Sequence, residues 1–344
     1  MKVKINCADF YGNPFGNYMF KLLDEHYELE ITKNPDILLY SNAGRDFLAY
    51  RCLRVFYTGE NVRPNFNECD YAFSFDYSDN PKNYRFPDYA AYCDVKQLTK
   101  HKQIVESLRA KTSFCNFIYS NPIPQERIEF FKLLSQYKKV DSFGKVLNNM
   151  PTEPDSADRS NPDWEHIKLK FMKRHKFSIV FENESYPGYT TEKILHAFLA
   201  NTIPIYWGNP LIAQEFNPNS FINCHDFSSF DKVMQRVIEI DQDDSLYQKM
   251  LAEPSYPNNQ IPENLRVENL LKQLDAIIQQ IGKMTPVAQQ TLSVRTAEPA
   301  FHKQSVLLRN RYHRLKYLTI PNVKARLSWF SRFMGMVHFG KNLA

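Results

Sequence analysis

Short apolar runs, bounded by Gly, Pro, Asn and Asp, alternate along this chain with segments whose apolar residues return at helical spacing. The first kind reads as strands and the second as helices. In the N-terminal half, KVKINCA (2–8), PDILLYS (35–41), CLRVFYTG (52–59) and DYAFSFD (70–76) carry the strand pattern. Between the first two lies a helical stretch, GNYMFKLLDEHY (16–27). The polar segment 90–111 is expected to be helical and to link the two halves. In the second half, strands are expected at 113–120, 138–144, 177–183 and 203–208. Helices are expected at 124–137, 164–175, 190–201, 230–240, 245–253 and 263–281. The Pro/Asp/Ser/Asn-rich stretch 147–162 reads as a mobile loop. Strands alternating with helices predict an α/β fold of parallel sheets. No G-x-G-x-x-G occurs, and Gly59, Gly144, Gly188 and Gly208 all fall at expected strand ends or turns.

Length, charge and cysteines narrow the picture. A chain of 344 residues with 43% hydrophobic content is long enough for about two domains. The net charge of +5 is not evenly spread. Past Glu298 there is no Asp or Glu, and nine of the 43 basic residues lie there, which leaves 34 against 38 acidic residues before it. A basic end on an acidic body points to an anionic surface as partner. Within 321–341, Val323, Leu327, Phe330, Met334 and Val337 recur at helical spacing beside Lys324, Arg326 and Arg332. This predicts an amphipathic helix lying on a membrane, with packing back onto the protein as the other reading. No secretory signal is legible at the N-terminus. Six scattered cysteines without a C-x-x-C suit a reducing compartment, so the expected location is cytoplasmic.

The densest chemistry lies in FENESYPGYTTEKILHAFLANTIPIYWG (181–208). A strand ends at Phe181-Glu182-Asn183, the chain turns at Gly188, and a helix begins near Thr190, the expected N-cap, with Glu192 and Lys193 in its first turn. A helix start carries about half a positive charge, so a lysine there is unfavourable unless an anion faces it. Either this is an ordinary solvated helix start, or an anion such as phosphate binds here, with Glu192 free to accept from ribose hydroxyls. Two further strand ends carry charge: Glu60 after Gly59, and Lys145 after Gly144. Each alone also reads as a surface side chain.

Taken together, TGEN (58–61), VDSFGKVLNN (140–149), the 177–208 segment and EFNPNSFINCHDF (215–227) resemble the α-1,3-fucosyltransferases, most closely the bacterial enzymes of glycosyltransferase family 10 that make Lewis-type glycans. The resemblance runs from about residue 53 to about 285. It implies a GT-B fold, with an acceptor-binding Rossmann-like domain at 1–108, a GDP-fucose-binding one at 109–285 and the basic tail at 286–344. It also implies inverting transfer of L-fucose from GDP-fucose to the 3-OH, or 4-OH, of GlcNAc in a lactosamine-type acceptor. Glu60 matches the family's general base. Asn183, Tyr189, Glu192 and Lys193 match its donor-binding residues, and Lys145 stands where several members carry Arg.

A single displacement needs no covalent nucleophile, and cationic groups at the diphosphate make a metal and any cofactor dispensable. The D-x-D within DQDD (241–244) is accordingly read as a loop and helix cap, and His225 as a supporting residue. Asn183-Glu184-Ser185 fits a glycosylation sequon, but the asparagine is better used on the donor. A nucleotide-sugar-binding or membrane-associated protein without turnover is the alternative, and Glu60 argues against it. An acidic body with no nucleic-acid motif argues against nucleic acid as a partner.

Overall fold

The strands assemble into two parallel sheets. The computed structural model describes residues 2–290, apart from 12, 13, 15–17, 93, 94, 101, 151–160 and 162. Most of the expected loop 147–162, and the whole basic stretch from 291 on, therefore lie outside the described residues. Residues 1–290 form one compact unit that holds both sheets.

The N-terminal sheet contains β1 (Lys2–Ala8), β2 (Glu28–Ile31), β3 (Ile37–Tyr40), β4 (Leu53–Tyr57), β5 (Tyr71–Ser74) and β6 (Asn83–Arg85), in the order β2-β1-β3-β4-β5-β6. The second sheet contains β7 (Ser113–Phe117), β8 (Val140–Ser142), β9 (His175–Phe181), β10 (Ile203–Trp207) and β11 (Ile222–Asn223), in the order β11-β10-β9-β7-β8. Every pairing is parallel. Sheets of this kind are covered on both faces, and β3 and β4 are buried at every position. In both sheets the order reverses beside the first strand. That makes the crevice at the carboxyl ends of β7 and β9 a natural ligand site.

The helices are α1 (Tyr18–His26), α2 (Tyr89–Tyr92), α3 (Ile104–Arg109), α4 (Gln125–Leu134), α5 (Trp164–Lys173), α6 (Glu192–Leu199), α7 (Phe230–Gln242), α8 (Asp244–Ala252), α9 (Val267–Ile278) and the short α10 (Val287–Gln290), which packs on β4. The expected continuous helix over 90–111 is instead α2, a 3-10 turn at Val95–Thr99 and α3. Ala90, Ala91, Val95 and Leu98 are drawn into the core while most of α3 stays at the surface, so no single apolar stripe serves the whole segment.

α6 is buried nearly all round because it packs on β9 and β10 and shares a core with α1, α2 and α9. α9 follows the second sheet in the chain yet returns to the first. Its Leu270, Leu274, Ile277 and Ile278 join Val3, Ile5, Leu39 and Val55, and Tyr27 Oη donates to Asp275 at 2.6 Å. The other face of the second sheet forms a separate core with α4, α7 and α8.

Candidate active site

The helix α6 begins one residue later than expected: Thr191, not Thr190, is its N-cap. Thr190 instead turns its hydroxyl to Glu215 at 3.3 Å. The anion that the first turn calls for is already there, supplied by the protein. Glu182, at the end of β9, is fully buried. Its carboxylate accepts from the Thr191 backbone N–H at 2.8 Å, from the Thr191 hydroxyl at 2.8 Å, and from Lys193 Nζ at 2.8 Å. This is the favourable placement of a carboxylate at a helix amino end. Burial by itself would lower the Lys193 pKa, but Glu182 and Glu192 outweigh it and hold the ammonium above its ordinary range. Gly208, just past β10, makes room for Glu182, since a Cβ there would come within 2.5 Å of Glu182 Cγ. Lys193 still keeps part of its side chain exposed, so it can serve Glu182 and an incoming anion together.

Asn183 is fixed by Arg127, a buried residue of α4. Arg127 Nη2 donates to Asn183 Oδ1 at 3.0 Å and to the carbonyls of Phe181 and Glu182 at 3.2 and 2.7 Å. A guanidinium can only donate, so the Asn183 oxygen faces it and the amide NH2 remains to donate to a ligand. The guanidinium lies 4.2 Å from the centre of the Tyr119 ring, and the Tyr119 hydroxyl ties β7 to β9, donating to the Ile179 carbonyl and accepting from Phe181 N–H. Lys145 is exposed. Gly144 beside it packs on the Tyr119 backbone, and this brings Lys145 to the same sheet end as Asn183.

The N-terminal half supplies Glu60, which follows β4 and is exposed. Its backbone N–H donates to Thr58 Oγ1 at 3.1 Å, and Thr58 in turn donates to Asn42 at 2.6 Å. Tyr189 records how the halves meet. Its buried phenol is pushed up by burial first, then by Glu182, Glu60, Asp88 and Glu192. Its ring packs edge-on against Phe75 of the N-terminal half. Glu192, the first residue of α6, is nearly buried. Facing it from the N-terminal half is Asp88, whose carboxyl accepts from Tyr57 Oη at 3.1 Å. Burial, and after it the Glu192 charge, push Asp88 up to about 7.

The sequence reading did not single out Arg127, Glu182, Asp88 or the buried Glu215. Glu215 accepts from Arg85 at 2.6 Å and from Asn209 at 2.7 Å. One of them left a trace. Arg127 shares the i, i+4, i+7 stripe of Phe131 and Leu134, and a charged residue on a core-facing stripe needs buried partners. Among the described residues no group of three or more His, Cys, Asp and Glu is placed to hold a metal ion. In DQDD, Asp241 closes α7 in ion pairs with Lys138 and Lys176, and Asp243 caps α8 by accepting from Leu246 N–H at 2.9 Å. His225 Nε2 lies 3.1 Å from the Gly208 carbonyl, a supporting position beside Glu182.

Two parallel sheets whose carboxyl ends meet at the Glu182–Lys193 helix start have the architecture of the GT-B glycosyltransferases. A crystal structure of an α1,3-fucosyltransferase matches with a TM-score of 0.70 at 27% identity, over 83% of this chain and 92% of that one. A structure described as α1,3-fucosyltransferase with GDP-fucose matches with a TM-score of 0.68, also at 27% identity, over 80% and 90% of the two chains. Residues 5–92 match the model of the α-(1,3)-fucosyltransferase FucT N-terminal domain, and residues 108–255 match that of the glycosyltransferase family 10 (fucosyltransferase) C-terminal region. The α-(1,3)-fucosyltransferase FucT of Helicobacter pylori is 31% identical over 296 residues, 73% of this chain and 60% of that protein. The α-(1,3)-fucosyltransferase 4 of Bos taurus is 32% identical over 148 residues, 42% of this chain and 34% of that protein. The chain belongs to the family 10 fucosyltransferases, and it spans 60% of the length of the H. pylori relative.

Proposed function

We propose that this protein transfers L-fucose from GDP-fucose to the 3-OH, or 4-OH, of GlcNAc in a lactosamine-type glycan, by one inverting displacement. The observation that supports the reading is the 2.6 Å bond from Asn61 Nδ2 to Glu184 Oε2, which brings the Glu60 loop of one half against the loop that leads into the Glu182–Lys193 helix start of the other. The acceptor hydroxyl attacks the anomeric carbon on the face opposite GDP. Glu60 takes the hydroxyl proton as the new C–O bond forms, a contribution of about 10²–10⁴-fold. The anomeric C–O bond to the β-phosphate breaks, and GDP leaves with the electron pair. Lys193 and Lys145 stabilise the charge that builds there, the amino end of α6 being taken by Glu182. Asn183 donates to the donor through its amide NH2, Glu192 accepts from the ribose, and Tyr189 backs the site.

In this reading residues 1–108 bind the acceptor and 109–285 the donor, with α9 packed back on the first. Residues 286–344 hold the enzyme on the inner face of the cytoplasmic membrane, where Lewis-type glycans of lipopolysaccharide or other oligosaccharides are built. Incubation of the protein and its Glu60→Ala variant with GDP-fucose and either lactosamine disaccharide, with and without EDTA, tests the chemistry. Turnover should fall at least about 100-fold in the variant while GDP binding persists. Near-normal turnover would assign the base to another residue.

A further inference from the structure

Glu60 and Asn183 belong to different halves of the molecule, yet the residues next to them in the chain are bonded to each other. Asn61 Nδ2 donates to Glu184 Oε2 at 2.6 Å. Two residues further on in both loops there is a second contact: the Arg63 guanidinium lies 4.3 Å from the centre of the Tyr186 ring. Arg63 is held from behind by Asp76 at 3.0 Å, and Tyr186 packs edge-on against Phe75, 5.9 Å between centres. Gly188 then turns with φ +84° against the Phe75 carbonyl, where a Cβ would come within 2.4 Å. The loop after β9 is therefore strapped to the N-terminal half along its length, by side chains that the proposed chemistry does not use.

We propose that Glu184 and Tyr186 are positioning residues for Glu60: the strap they form with Asn61 and Arg63 carries the placement of the donor-binding loop across to the loop that holds the base. This rests on the reading of Glu60 as the base. Asn183 does not depend on the strap, because Arg127 fixes it from within its own half at 3.0 Å. Donor affinity and base placement are thus separable. Loosening the strap leaves GDP bound and the Glu60 loop free to wander. A displacement of about 1 Å is enough to cost up to about 10²-fold in rate.

The experiment compares Glu184→Ala, Glu184→Gln, Asn61→Ala, the Asn61→Ala/Glu184→Ala double variant and Glu60→Gln in the full chain. It reads kcat, acceptor KM and GDP affinity by calorimetry. Glu184→Ala is expected to lower kcat about 10- to 100-fold with GDP affinity within about twofold of the parent. Retained GDP binding also shows that the variant is folded. Glu184→Gln keeps an acceptor oxygen for Asn61 and should restore most of the rate. The double variant should be no worse than the poorer single one, since both remove the same bond. An unchanged kcat in Glu184→Ala overturns the proposal. So does a Glu184→Gln variant as inactive as Glu60→Gln, which would make Glu184 itself the proton acceptor. If Glu60→Gln alone retains turnover, the base reading fails instead, and the two failures are told apart.

Discussion

The Lys193 ammonium is held by Glu182 at 2.8 Å, at the helix end where a donor diphosphate would also come. One charge thus has a structural partner and a proposed ligand, and its variants will show both losses. Glu182→Gln keeps the shape and an acceptor for Thr191 but strips the charge that Lys193 leans on. Breaking a buried pair from one side costs about 3–5 kcal/mol. Here the low end, about 3 kcal/mol, is expected by urea denaturation, because Lys193 keeps some water. A loss within about 0.5 kcal/mol, the range of ordinary surface changes, would mean that the pair is neutral to folding. Asp88 supplies the pH dependence. Its carboxyl binds a proton more tightly in the folded protein than in the unfolded one, where it titrates near 3.8. Its contribution to stability is therefore lost as pH rises from about 4 through about 7. Asp88→Asn cannot titrate, so its melting temperature should gain on that of the parent across this window and hold the gain above it. A difference that does not vary with pH would show Asp88 charged throughout.

Among elements, α6 and the strands that flank it set the site, and glycine decides how closely they approach. Gly208→Ala would put a methyl within 2.5 Å of Glu182 Cγ, so the carboxylate must leave the helix end or β10 must shift. A loss of about 1–3 kcal/mol is expected on thermal or urea unfolding, together with weaker GDP binding. Unchanged values for both would mean that Glu182 has room to move. The same scale explains which elements were legible. The strands missed from the pattern, β2 and β6, are both at sheet edges. An edge strand has one neighbour and meets water, so its apolar signal fades, and Glu28 to Ile31 and Asn83 to Arg85 show no buried position. Central strands are covered on both faces and announce themselves as unbroken apolar runs. α6 was legible as a helix. Its all-round burial was not, because that comes from α2, α5 and the turn at Val95–Thr99 packing on it opposite β9 and β10.

For the whole molecule, the basic stretch beyond residue 290 is proposed to decide where the protein acts. If it lies on anionic membranes, each basic residue contributes about 1 kcal/mol. The full chain should then pellet with anionic vesicles at low salt, and a chain ending near residue 300 should stay in the supernatant. Equal partitioning of the two forms would leave the tail without a membrane role.

Local rules determined a good deal of this protein. Strand and helix periodicity defined two parallel α/β halves. The charges that follow Gly59, Gly144 and Gly188 stood out as candidates, each also readable as a surface side chain, and it was the family resemblance that joined Glu60, Lys145 and Glu192–Lys193 in one proposed chemistry. Tertiary structure decided the partnerships. Glu182 lies eleven positions from Lys193. Arg127 of α4 reaches Asn183 in the loop after β9, the Glu192 charge acts on Asp88 of the other half, and Asn61 meets Glu184 across 123 residues. A buried charge takes whatever partner the packing brings within hydrogen-bond reach. Sequence marks which side chains are charged, but only the closed fold determines which of them meet and which remain free for a substrate.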